Sequence, residues 1–246
     1  MRIEKLGKQI VTLEDWFEYA PPQEGEKQWK DFRSAKEMAK YWLDPSSETR
    51  LSALLEPVFG SLRFLSAEPE RKVQFDTCGE PRHCDLAIEA QGDAEKVVIH
   101  IEGKADELFD KIVGPYYARR RRVVGSKLPL RVELLADRLF GRGVDEDFGR
   151  LWYQLLHGSA AAWCDAVAHG ATSAVFIVQE FRSSGLKKKS LATNEAAWKE
   201  FLHSFPALAM DTAPTEISLM GPVRAHYPEW QGVPLYFAKI ITTLSA

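Results

Sequence analysis

Asp85, Glu102 and Lys104 are the residues of this chain whose types and spacing are best suited to chemistry. All three fall within residues 84–104, CDLAIEAQGDAEKVVIHIEGK. Asp85 opens one β-like run, and Glu102-Gly103-Lys104 closes a second. Side chains alternate across a strand, so Glu102 and Lys104 share a face with His100 and Val98. Val97, Ile99 and Ile101 then take the opposite, apolar side. Gln91-Gly92-Asp93 supplies turn formers between the runs, and folding back there brings Asp85 towards Glu102. Two carboxylates held that close repel unless a cation lies between them. Mg²⁺ or Mn²⁺ suits hard oxygen ligands, acidifies a coordinated water and neutralises charge on a phosphoryl oxygen. Lys104 stays protonated beside carboxylates, so its expected part is to hold water or counter transition-state charge. The implied chemistry is metal-dependent hydrolysis of a phosphodiester.

An Asp, a variable gap and then Glu-x-Lys resembles the PD-(D/E)xK nuclease superfamily, the restriction-endonuclease-like fold. The stretch from Asp85 to Lys104 carries the likeness. It departs from the family pattern at the residue before the aspartate, which is Cys84 here, with Pro81 further upstream. The resemblance implies an α/β protein with a central mixed β-sheet flanked by helices. It implies Asp85 and Glu102 as metal ligands, Lys104 as the catalytic lysine and the Gly103 carbonyl as a further ligand. The first core helix of that superfamily often brings a carboxylate to the metal. Here Glu48 and Glu56 are the candidates, and spacing does not choose between them. Some exonuclease-like branches place a glutamine on a helix behind the catalytic strands, and Tyr153-Gln154 is similar in type.

The positioning elements follow from pattern. Residues 1–33, with Trp16, Trp29 and Pro21-Pro22, read as an irregular lead-in to a core of about 34–182. Ser34 with Glu37 three residues on suggests a capping box for a helix to Leu43. Glu48 to Phe59 has apolar residues at helical spacing. Residues 62–76 suit a strand. Cys78, His83 and Cys84 lack zinc-knuckle spacing and read as structural. The run 105–124 reads as a helix divided at Gly114-Pro115 and ending in Arg119 to Arg122. Asp145 to His169 reads as one long helix. It carries Arg150, Gln154 and His157 along one face, which makes them supporting site candidates. Residues 173–181 are a buried strand. Arg119, Arg120, Lys187 and Lys188 are candidate phosphate contacts. Asn194 suits the cap of a helix over 195–205, and strands near 216–220 and 234–242 complete a single domain over 1–246.

The chain has 246 residues, 45% hydrophobic and 27% charged, enough for one sizeable core. Three cysteines rule out a disulfide framework. The N-terminal run lacks the apolar region of a signal peptide, and no stretch approaches ~20 apolar residues. A cytoplasmic location and no membrane partner are therefore expected. A net charge of −3 argues against a nonspecific nucleic-acid coating protein but permits a local cleft. Nucleic acid, with DNA first, is the expected partner, and a homodimer would suit cutting of two strands. The rival reading is a catalytically silent module that binds DNA or protein. An intact Asp-Glu-Lys set weighs against it.

Overall fold

Three consecutive strands form the frame of the molecule. The computed structural model describes residues 1–183, 188–208 and 218–244. β3 (Arg63–Val73), β4 (Arg82–Gln91) and β5 (Lys96–Lys104) make an antiparallel meander. β5 then pairs parallel with β6 (Ser173–Arg182), and β6 pairs parallel with β8 (Leu235–Thr243). The parallel step needs a long crossover. It is supplied by α4 (Val113–Arg120), α5 (Leu128–Phe140), α6 (Glu146–Arg150) and α7 (Tyr153–Ala168). With β1 (Arg2–Lys5), β2 (Lys8–Gln9) and β7 (Met220–Val223), the eight-stranded mixed sheet runs β2-β1-β3-β4-β5-β6-β8-β7.

Helices cover both faces, which gives an α/β architecture. α1 (Leu13–Tyr19), α2 (Ser34–Leu43) and α3 (Ser46–Phe59) pack Trp42, Leu51 and Leu55 against Ile99, Ile101 and Ile177. α5, α7 and α8 (Lys188–His203) pack Trp163 and Trp198 against Val98, Phe176 and Phe237. α9 (Pro228–Gln231) precedes β8. Because β5 is sandwiched, its alternating residues feed two separate cores, and Val97 through Ile101 are all buried. The face holding Val98 and His100 continues to Glu102 and Lys104. His100 itself bonds Asp165 of α7 at 2.7 Å.

Several boundaries differ from the sequence expectation, each for a tertiary reason. Residues 1–33 are not an irregular lead-in, because β1 joins the sheet parallel to β3 (Arg2↔Ser66, Ile3↔Ala67). α1 is held by a capping box in which Thr12 Oγ1 accepts from Asp15 N at 3.0 Å and Asp15 accepts from Thr12 N at 2.9 Å. Ser34 begins α2 rather than capping it, and the Glu37 carboxylate accepts from Phe32 N instead. The helix expected from residue 105 starts only at Val113, and Pro115 lies in its first turn, where no amide partner is lost. The long helix expected over 145–169 is broken at Leu151-Trp152. There the backbone leaves the helix to pair with Lys111–Val113 (Val113 N to Leu151 O 2.9 Å, Tyr153 N to Lys111 O 2.8 Å). Asn194 lies inside α8, so it caps nothing. Its amide donates to Glu107 O at 2.8 Å. Of the strand expected at 216–220, residues 216 and 217 lie outside the described residues, and the observed strand is β7. Among the described residues no helix is long and apolar enough to cross a membrane.

Candidate active site

The meander strands splay where the reactive residues meet. The β4–β5 ladder ends at Leu86↔Ile101, one step before Asp85 and Glu102. The Gly103 amide donates to Asp85 Oδ2 at 2.8 Å, so the aspartate is anchored across the gap by the backbone at the Glu-Gly-Lys end of β5. On the other side of β4, the pairs Pro69↔Leu86 and Arg71↔Cys84 set Glu70 opposite Asp85. Glu70 has φ of +49°, a region uncommon for a side chain of this kind and one that recurs at functional sites. Three adjacent strands thus each bring a carboxylate to one place.

Glu102 is the most heavily contacted of the three. Its Oε1 accepts from Lys104 Nζ at 2.7 Å and from Gln154 Nε2 at 2.6 Å. Its Oε2 accepts from the Arg82 guanidinium. Glu102 is 1% exposed and Lys104 6%, which puts the pair at the floor of a cleft. Gly103 must remain small. A Cβ there would lie 2.7 Å from Met38 Cγ of α2 and 3.5 Å from Asp85 Oδ2.

Charge is unevenly shared among these groups. Burial opposes ionisation of Glu102, but the Lys104 and Arg82 cations prevail and hold its carboxyl below the usual range. Lys104 is desolvated, yet Glu102 and Asp85 raise it above its ordinary value and keep it protonated. Asp85 is pushed up to about 7 by burial and then by Glu102. Glu70 is pushed up to about 8 by burial and then by Asp85. The cations Arg82 and Lys104 serve Glu102 first, so crowding and burial leave Asp85 and Glu70 holding protons near neutrality. Hard oxygen donors held close together, whose protons a cation would displace, fit a divalent cation of the Mg²⁺ class. Among the described residues, no three His, Cys, Asp or Glu side chains are already gathered closely enough to hold one. Glu102 can join Asp85 and Glu70 as a ligand only by exchanging its contact with Arg82.

The surrounding cleft has a volume of about 370 Å³. Asp85, Glu102, Gly103, Lys104 and Gln154 line it together with Glu70, Arg82 and His83. Residues 9–243 match a family described only as a domain of unknown function, DUF6946. The chain belongs to that family. No curated protein and no solved structure matches it. The match runs from β2 through β8, so every residue of the cleft lies within the family's boundaries.

The structure brings together Asp85, Glu102, Lys104 and Gln154, and it separates the other candidates from them. Glu48 pairs with the Met1 amine, and Glu56 is exposed on α3, so neither helix carboxylate reaches the cleft. Arg150 is on α6, exposed and paired with Glu146 at 2.5 Å. The break at Leu151-Trp152 removes it from the stripe that Gln154 occupies. His157 does not line the cleft. Its ring lies against Tyr153 with centroids 4.5 Å apart, and burial and then the nearby Arg82 hold it neutral, well below the usual histidine range. Arg119, over the Tyr116 ring, and Arg120 end α4 outside the cleft. Lys187 lies outside the described residues, as does the side chain of Lys188.

Glu70, Arg82 and His83 were not singled out as site residues from sequence. Arg82 and His83 stand in the segment CGEPRHC, which draws attention for its cysteines. Cys84, however, is buried with Sγ donating to Leu86 O at 3.1 Å, and burial pushes its thiol far up. The signal available for Glu70 is its place in an expected strand next to the Asp85 strand. Choosing it requires the register between them.

Proposed function

We propose that this protein is a Mg²⁺-dependent phosphodiesterase acting on nucleic acid, with DNA as the favoured substrate. The single observation that carries the reading is the convergence of Glu70, Asp85, Glu102 and Lys104 from β3, β4 and β5 on the floor of one cleft. The chain order of a helix (α3), a three-stranded meander and a parallel strand reached through helices also supports the resemblance to the PD-(D/E)xK nucleases.

Asp85 and Glu70, with Glu102 after Arg82 withdraws, would hold the cation. When bound, Mg²⁺ supplies a more acidic water and charge neutralisation at a phosphoryl oxygen. Lys104 keeps its proton, so it acts as a donor that orients water or a phosphate oxygen rather than as a free base. Gln154 fixes the carboxylate plane of Glu102 through Oε1. Arg82, once released from Glu102, is the nearest guanidinium for a phosphate.

The experiment is cleavage of labelled DNA with Mg²⁺, wild type against Lys104→Ala. Removing a donor aimed at developing charge costs about a hundredfold or more in rate. A Lys104→Ala protein that cuts as fast as wild type rejects the mechanism. A second reading, a silent nucleic-acid- or protein-binding module, is favoured by one observation. Both Glu102 oxygens already have partners in Arg82, Lys104 and Gln154. Calorimetric titration with Mg²⁺ separates the two, since the silent module takes up no ion at the cleft.

A further inference from the structure

We infer that the cleft accepts an unpaired strand, not a duplex, with one base stacked on Trp29. This rests on the phosphodiesterase reading and adds the class of substrate to it. Glu102 and Lys104 are 1% and 6% exposed, so a phosphate must descend into the cleft to meet them. The cleft is lined by the segment that follows α1, through Ala20, Pro22 and Trp29, and by Leu108 and Asp110 from the loop after β5. A volume of about 370 Å³ is at the small end of ligand pockets and suits one nucleotide. A duplex is a stiff rod with a persistence length of about 150 base pairs. It presents its phosphates on a convex surface and cannot lower one of them to buried groups at the bottom of so small a recess.

The second observation is the nature of the wall. Trp29 is half-buried, lines the cleft and is held against Phe17, which does not line it, with ring centroids 5.2 Å apart at 36°. A braced indole facing a cavity is a stacking platform, and stacking accepts any base because every base has a π-face. The nearby cations are already engaged. Arg33 pairs with Asp106 at 2.8 Å, and Arg82 and Lys104 both pair with Glu102. Affinity from a row of free cations along a duplex backbone is therefore not what this wall provides. One platform above a deep acidic floor favours a single base with its phosphate below it.

The test uses the full chain with Ca²⁺ in place of Mg²⁺, so that DNA is not consumed. Fluorescence anisotropy is read with a labelled single strand of about 12 nucleotides and with the blunt duplex of the same sequence. The single strand should bind at least about tenfold tighter, and Trp29→Leu should weaken it by about tenfold or more. Trp29→Tyr, which retains an aromatic face, should recover part of the loss. Thermal unfolding of each variant identifies a substitution that simply fails to fold, and Trp29→Tyr then carries the test. Equal or tighter duplex binding, or unchanged affinity in Trp29→Leu, overturns the inference and leaves the hydrolytic reading standing. Hydrolysis of a small phosphodiester with Mg²⁺ is measured in parallel. Absence of both DNA binding and small-diester hydrolysis overturns both conclusions.

Discussion

Replacing Asp85 by asparagine should make the metal-free protein more stable, by a margin that grows from about pH 4 and is full above about pH 7. The carboxyl is pushed up to about 7 from an ordinary 3.8 by burial and by Glu102. A folded-state pKa above the unfolded value means that the native chain holds the proton more tightly. Stability therefore falls as pH rises from about 4 to about 7, and the full penalty is present above that. At about 1.4 kcal/mol per unit, a shift of about 3 units sets an upper limit near 4 kcal/mol. Water entry and relaxation bring the expected gain to about 1–4 kcal/mol. Asparagine retains an oxygen for the Gly103 amide, so the backbone contact at 2.8 Å need not be lost. For a chain of this size, such a gain raises the unfolding temperature by about 2–4 °C per kcal/mol. The assay is thermal unfolding with chelator at about pH 8 and about pH 5, wild type against Asp85→Asn. The variant should melt clearly higher at pH 8 and by less than half as much at pH 5, and added Mg²⁺ should raise the wild type alone. Equal shifts at both pH values, or destabilisation at both, would refute the charge argument, because neither follows from an ionised carboxylate lacking a counter-ion.

Two further predictions concern packing and acid stability. Gly103→Ala places a methyl 2.7 Å from Met38 Cγ and should cost about 1–3 kcal/mol by chemical denaturation. In a Met38→Ala background, itself destabilised by the cavity it leaves, Gly103→Ala should cost less than it does alone, and strict additivity of the two substitutions would contradict the contact. Burial holds His100 below its usual pKa, and Asp165 is held at about 2 through its bond to His100, although burial alone would raise it. Both native groups bind fewer protons than the unfolded chain, so stability is complete near neutrality. It falls below about pH 6.5 through His100, then by about 2 kcal/mol between about pH 4 and 2 through Asp165. Unfolding temperature measured down the acid range in a background carrying both Asp85→Asn and Glu70→Gln, which removes the opposing titration of the raised carboxyls, reads this directly, and a flat profile would count against it.

What could be read from sequence was what depends on neighbours along the chain. The alternation in Val97–Lys104 sets the faces of β5, and the local Glu-Gly-Lys motif follows from it. Gln154 is suggested by the resemblance, whereas the helical stripe that would join it to Arg150 and His157 does not form, since Arg150 lies on α6 and His157 does not line the cleft. The failures share one cause. β1 is short and exists because β3 offers it a parallel edge, so its four residues carry little pattern of their own. The helix break at Leu151-Trp152 is imposed by Lys111–Val113, some forty residues earlier in the chain, and with it Arg150 leaves the site. Glu70 reaches the site through the β3–β4 register and an unusual backbone angle, neither of which periodicity encodes.

The loop after Lys104 fastens the two helical layers to each other. Glu107 accepts from Ser34 Oγ of α2 at 3.2 Å through its carboxylate and from Asn194 of α8 at 2.8 Å through its carbonyl. The same carboxylate receives the Ala105 amide at 2.8 Å. A single residue beside the cleft is thus a rivet through the fold, held by a helix from each side of the sheet. Shifting the loop strains both ties together, at about 1 kcal/mol for each neutral bond and more for the one to the carboxylate. Cutting either tie, by Ser34→Ala or Asn194→Ala, frees the loop from one layer and removes no contact of Glu102 or Lys104.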